Sequence, residues 1–105
     1  MAAPAAKKVQ ALLGLALRSR SAALGRSACR RAARRSELRL LVLARDAGAS
    51  VESDCGAPDG VPRIRLELDK QELGLLVRRS ALAVLGITDP DLAAGILKHA
   101  RRETP

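Results

Sequence analysis

The sequence contains no Phe, Trp or Tyr, one His, one Met and two Cys among its 105 residues. Without an aromatic ring, the chain has no platform on which single-stranded bases stack in recognition sheets and OB-type barrels. Cys29 and Cys55 lack metal-ligand spacing and have no His beside them, so they read as two free thiols of a reducing compartment rather than a framework or a metal site. The single His99 falls near the end of the last helical pattern next to basic residues, where a solvated side chain on the helix dipole explains it. Neither GxGxxG nor a phosphate-loop motif occurs, and no nucleophile has a base within reach by pattern. The composition therefore points away from catalysis, and no cofactor or metal is expected. No apolar run is long enough to span a bilayer. Acidic residues are absent from the first 36 positions. Organelle transit peptides share that bias, but removing the stretch would strip the strands of two helices that cover them, so it is read as part of the fold.

Apolar residues, almost all Ala, Leu, Val and Ile, make up 48 % of the chain, enough for one core in one domain over residues 1–105 with its centre at about 8–100. Lys and Arg number 19 against 11 Asp and Glu, a net charge of +8. A solvated surface, or the Arg-rich composition of a GC-rich genome, would give the same total. Here the charge is clustered, which favours a polyanionic partner.

Val9, Leu12, Leu13, Ala16 and Leu17 recur at helical spacing, and Ser19-Arg20-Ser21 ends that helix. A very short strand follows at Ala22–Leu24. Gly25 opens a second helix to about Arg35, with Ala28, Cys29, Ala32 and Ala33 on its narrow apolar side. Arg26, Ser27, Arg30, Arg31 and Arg34 fan across the other side. Leu38 to Ala44 reads as a buried strand. Arg45 and Asp46 begin a stretch broken by Gly48, Gly56, Pro58 and Gly60, with at most a short helix near Ala49–Ser53. Val61 to Leu68 alternates, with Arg63, Arg65 and Glu67 on one side, as an edge strand does. Asp69 and Glu72 form a capping box ahead of a helix carrying Leu73, Leu76 and Val77. Ser80 to Ile87 reads as another buried strand. Asp89 and Pro90 start a last helix, lined by Leu92, Ile96, Leu97 and Ala100 and ending in Lys98, His99, Arg101 and Arg102. Strands alternating with helices imply an α/β fold, its small sheet covered on both faces.

Phosphate binding needs positive charge and free backbone N–H groups in one place. A helix start at Gly25 offers the donors, and Arg26, Arg30, Arg31 and Arg34 offer fork-shaped cations. Arg18 and Arg20 stand as an extension of this patch. Arg78, Arg79 and Ser80 join it only if the topology brings their loop to the same end of the sheet. With no aromatics to stack bases, the ligand implied is folded or double-helical nucleic acid.

Leu12-Leu13-Gly14-Leu15-Ala16, Gly25 before its basic helix, Leu40-Leu41-Val42-Leu43-Ala44-Arg45-Asp46-Ala47, Glu72-Leu73-Gly74 and Ala83-Val84-Leu85-Gly86-Ile87-Thr88-Asp89 occur in this order. The ordered set resembles the kink-turn-binding ribosomal-protein superfamily often called L-seven-Ae, most closely its bacterial YlxQ-type branch. The resemblance implies a three-layer α/β/α sandwich with a mixed four-stranded sheet. It also implies a monomeric, cytoplasmic protein that binds structured, ribosomal or kink-turn RNA without a membrane or a small-molecule substrate. Residue by residue, the RNA contacts fall on Gly25, Arg26, Ser27, Ala28 and Arg31, then Arg45 and Asp46, then Val77, Arg78, Arg79, Ser80 and Ala81. Archaeal-type members place Asn and Glu where this chain has Ser27 and Ala28, and a Lys where it has Arg31. That implies a backbone grip with weaker base readout. The alternative is a scaffold module of the same fold that turns its basic face to acidic proteins.

Overall fold

The computed structural model describes residues 4–100. Its elements are α1 (Pro4–Arg18), β1 (Ala22–Leu24), α2 (Arg26–Arg34), β2 (Leu40–Leu43), α3 (Ala49–Asp54), β3 (Arg63–Arg65), α4 (Lys70–Leu76), β4 (Val84–Ile87) and α5 (Pro90–Ala100). Arg101 and Arg102, expected at the end of the last helix, lie outside the described residues.

The four strands form one mixed sheet in the order β1-β4-β2-β3. β4 runs antiparallel to both β1 and β2, whereas β3 is parallel to β2. A parallel pair needs a crossover, which α3 supplies. Helices cover both faces: α2 and α3 pack together on one, with α2 over β1 and β4, while α1 packs with α4 and α5 on the other. The fold is the three-layer α/β/α sandwich with a mixed four-stranded sheet.

Every residue of β2 and β4 is buried, the physical reason for their continuous apolarity: a central strand between two helical layers has no wet face. Val9, Leu13 and Ala16 of α1 and Ala93 and Ile96 of α5 close the core on one side, and Cys29 and Ala32 of α2 close it on the other. Ala28 and Ala33, expected on the same apolar stripe, are only half-buried, because they lie on the two flanks of α2. No helix among the described residues is long and apolar enough to cross a membrane.

Both buried strands are shorter than their apolar runs. Leu38 and Leu82 are buried but lie outside the strands. The Leu82 N–H donates to the Lys70 carbonyl of α4 (2.9 Å) rather than into the sheet, so residues 80–83 form a loop. The charged side of β3 also differs from a solvated face. Arg65 Nη1 donates to the carbonyls of Ala44 (3.0 Å), Arg45 (3.2 Å) and Ala47 (3.1 Å). Arg63 donates to Ala57 (2.8 Å) and Val61 (3.0 Å) and pairs with Glu52 (3.2 Å). These two arginines hold loops together, since the turns around them present carbonyls with no strand to satisfy them.

The helix ends are made by local chemistry. Asp69 and Glu72 form the full capping box of α4, and Asp89 Oδ1 accepts from the N–H groups of Asp91 (2.8 Å) and Leu92 (3.0 Å) at the start of α5. At their C-terminal ends, α1, α2 and α4 close in the same Schellman pattern. Ser21 N–H reaches Ala16 O (2.7 Å), Glu37 N–H reaches Ala32 O (2.9 Å) and Arg79 N–H reaches Gly74 O (2.8 Å). The residue before each donor is left-handed: Arg20 (φ 61°), Ser36 (φ 59°) and Arg78 (φ 61°). Glycine is the usual occupant there. None of the three is glycine.

Candidate functional site

The sheet topology settles where the candidate residues meet. β1 ends at Leu24, opposite Leu85 of β4, and the Gly25 N–H donates to Val84 O (3.0 Å). On the other side of β4, the Ala44 N–H donates to Ala83 O (2.9 Å), and the Arg45 N–H donates to Leu68 O (2.7 Å). The ends of β1, β2 and β3 and the start of β4 therefore share one end of the sheet. Gly25, Arg45, Asp46 and the loop carrying Arg78, Arg79 and Ser80 all lie there.

Between α2 and this loop is an open cleft of about 390 Å³ lined by Leu24, Gly25, Arg26, Ser27, Ala81, Leu82, Ala83 and Val84. Gly25 has φ 89° and ψ 169°, a conformation that only glycine enters without strain. No side chain caps α2, so the N–H groups at its start keep their donors for a ligand. In α4 and α5 the same donors are taken by Asp69 and Asp89.

At about 100° per residue, the arginines of α2 separate into groups. Arg26 and Arg30 face α3: Arg26 Nη1 pairs with Asp54 Oδ2 (3.0 Å), and Arg30 Nε donates to Asp54 O (2.8 Å) at the end of that helix. Arg31 and Arg34 are exposed, and their side chains make no ion pair or hydrogen bond among the described residues. Ser27 is exposed at the cleft on the same side of the helix as Arg31 and Arg34, and Ala28 is half-buried.

In the opposing loop, Arg78, Arg79 and Ser80 are exposed, while Val77 is buried and anchors the loop to the core. The loop is pressed against α4: a Cβ on Gly74 would lie 2.8 Å from Ala81 Cα, Ala81 N and Arg79 O. Asp46 takes a supporting position, its Oδ1 accepting from the Lys70 N–H (2.8 Å) at the first turn of α4. Arg45 stands 3.7 Å from Asp69, more than half exposed. Arg20 lies at the far end of β1 from Gly25, since the Thr88 N–H donates to Ser21 O (2.9 Å). It therefore does not extend the Gly25 patch.

Asp54 was not legible as a partner of the basic helix, because it sits in the Gly- and Pro-broken stretch. Leu24, Ala83 and Val84 line the cleft only through strand pairing and carry no local signal. Cys29 and Cys55 are both fully buried, one beneath α2 and the other at the end of α3. Burial, with the neighbouring Cys55 adding to it, pushes the Cys29 thiol up to about 12. Burial also raises Cys55.

No family model and no curated protein sequence matches the chain. Solved structures do. A protein of unknown function from Bacillus halodurans C is 24% identical with a TM-score of 0.78, over 90% of this chain and 97% of that one. The 15.5kD RNA binding protein of Giardia lamblia is 16% identical with a TM-score of 0.70, over 97% of this chain and 89% of that one. At these identities the likeness is one of fold.

Proposed function

We propose that the chain is a non-catalytic, cofactor-free RNA-binding protein of the kink-turn-binding superfamily, in its YlxQ-like branch. In this reading it acts as a cytoplasmic monomer on structured RNA, kink-turn or ribosomal. The observation that carries the reading is the convergence of an uncapped helix start at Gly25 with the loop before β4, whose Ala81, Leu82 and Ala83 line the same open cleft just past Arg78–Ser80. Such a cleft offers backbone donors, a helix dipole and guanidinium forks to the same phosphates. The fold shared with an RNA-binding protein of Giardia lamblia supports it. Arg31 and Arg34 supply charge without having to leave an internal partner, whereas Arg26 and Arg30 exchange Asp54 for phosphate.

The test is a titration at two salt concentrations with a kink-turn RNA, the same RNA with its G·A pairs disrupted, and a plain duplex. Preference for the intact kink-turn, with affinity falling steeply in salt, is the expected result. Equal binding to all three would reduce the site to a general phosphate grip. Failure to bind any of them at low salt would favour an acidic protein partner instead.

A further inference from the structure

The end of the sheet opposite Gly25 is also basic. The Arg39 N–H donates to Ile87 O (2.8 Å), and Ile87 pairs with Ala22 on one side and Leu40 on the other. Arg20 and Arg39 therefore flank the terminus of β4. α2 lies over β1 and β4 and ends there with Arg34, followed by Arg35 as its C-cap. All four arginines are exposed, and none uses its side chain in an ion pair or hydrogen bond among the described residues. The acids at this end are Glu37, Asp59 in the turn entering β3, Asp89 and Asp91, and Asp89 is taken up by backbone N–H groups of α5. The balance stays positive.

A helix C-terminus favours nearby cations, which accounts for Arg34. It does not account for Arg39 at the entry of β2, nor for Arg20 in a left-handed position (φ 61°) that glycine fills at lower cost. We infer that Arg20, Arg35 and Arg39 form a second phosphate-binding patch, which grips the backbone of a double-helical arm of the RNA held at Gly25. The inference rests on the RNA-binding reading. Its geometry follows from α2, whose nine residues separate the two patches by about 13 Å. Arg31 lies between them. A duplex carries several phosphates over that distance, and an aromatic-free surface suits a duplex rather than splayed bases.

The experiment compares a kink-turn RNA with short arms against the same RNA with one arm extended by a turn of duplex. The proteins are the full chain and its Arg20→Gln/Arg35→Gln/Arg39→Gln variant, with far-UV circular dichroism confirming that both fold. The parent should bind the extended RNA about tenfold more tightly, with a salt slope steeper by about 2–3. The variant should lose that gain while binding the short RNA as the parent does. Equal affinity of the parent for both RNAs would overturn the second patch and leave the Gly25 site standing. If the parent bound neither RNA, the RNA-binding reading itself would fall. If the triple variant does not fold, the pair Arg35→Gln/Arg39→Gln, both exposed, carries the same test, with most of the gain lost.

Discussion

Gly74→Ala is the sharpest perturbation of the cleft, because two opposite forces act on one methyl group. Alanine is worth about 1 kcal/mol over glycine inside a helix, so on propensity alone the variant should be the more stable protein. The added Cβ, however, would sit 2.8 Å from Ala81 Cα, Ala81 N and Arg79 O, where carbon contacts rest at about 3.5–4.0 Å. All three atoms are backbone, so no side chain can swing aside. The loop must retreat by roughly 0.7–1 Å while tied to α4 by the Arg79–Gly74 and Leu82–Lys70 hydrogen bonds. Overpacking of this kind costs about 1–3 kcal/mol. The net effect is a loss of up to about 2 kcal/mol and a fall in Tm of up to about 15 °C. The retreating loop carries Arg78, Arg79 and Ser80, so affinity for the kink-turn RNA should drop about tenfold, equivalent to 1.4 kcal/mol. Thermal melts by circular dichroism and titration of a labelled RNA read the two effects. Leu75→Ala, a change at an exposed neighbour, should leave both nearly unchanged. A raised Tm with undiminished RNA binding in Gly74→Ala would refute the reasoning.

Arg78→Gly relieves a left-handed residue and should raise stability by up to about 1 kcal/mol while weakening RNA binding severalfold. Unchanged affinity would remove Arg78 from the site. Asp54→Asn takes away an ion pair whose partners are half-exposed, so stability should shift by less than about 1 kcal/mol. RNA affinity should rise as Arg26 is released, with a salt slope steeper by about 1; an unchanged slope would show that Arg26 never leaves α3. Cys29 is raised from 9.0 to about 12 in the fold, so its stabilisation is complete below pH 9. It is lost as pH climbs from 9 toward 12, where the unfolded chain ionises first, by about 1.4 kcal/mol per pH unit. Denaturant titrations across that range should show a shallower decline in Cys29→Ala, and parallel declines would contradict the linkage.

Much of the frame was legible because its signals are local. Helical spacing placed α1 and α2, and the Asp69–Glu72 box marked the start of α4 within one turn of chain. The strand ends were over-read, since continuous apolarity does not distinguish a central strand from a buried loop residue such as Leu82. The site was legible in composition but not in assembly. Whether Gly25 and Arg78–Ser80 share an end depends on β4 running antiparallel to β1, a long-range pairing that no window of sequence contains. The same limit applies to Arg26 and Arg30, which look free in the sequence yet are held by Asp54 from another helix. Asp46 and Val77 share that end of the sheet through contacts no window shows, one bonded to the first turn of α4 and the other rooting the loop in the core.

The two buried thiols have a practical consequence in a chain without a chromophoric side chain. With no Trp or Tyr, folding is invisible to intrinsic fluorescence, but Cys29 and Cys55 are sealed at 0 % exposure. A thiol reagent can reach them only when the layer holding α2 and α3 opens. Labelling rates then count openings of that layer, and RNA that clamps α2 should slow them in proportion to its occupancy. The cysteines thereby turn the basic layer into its own clock.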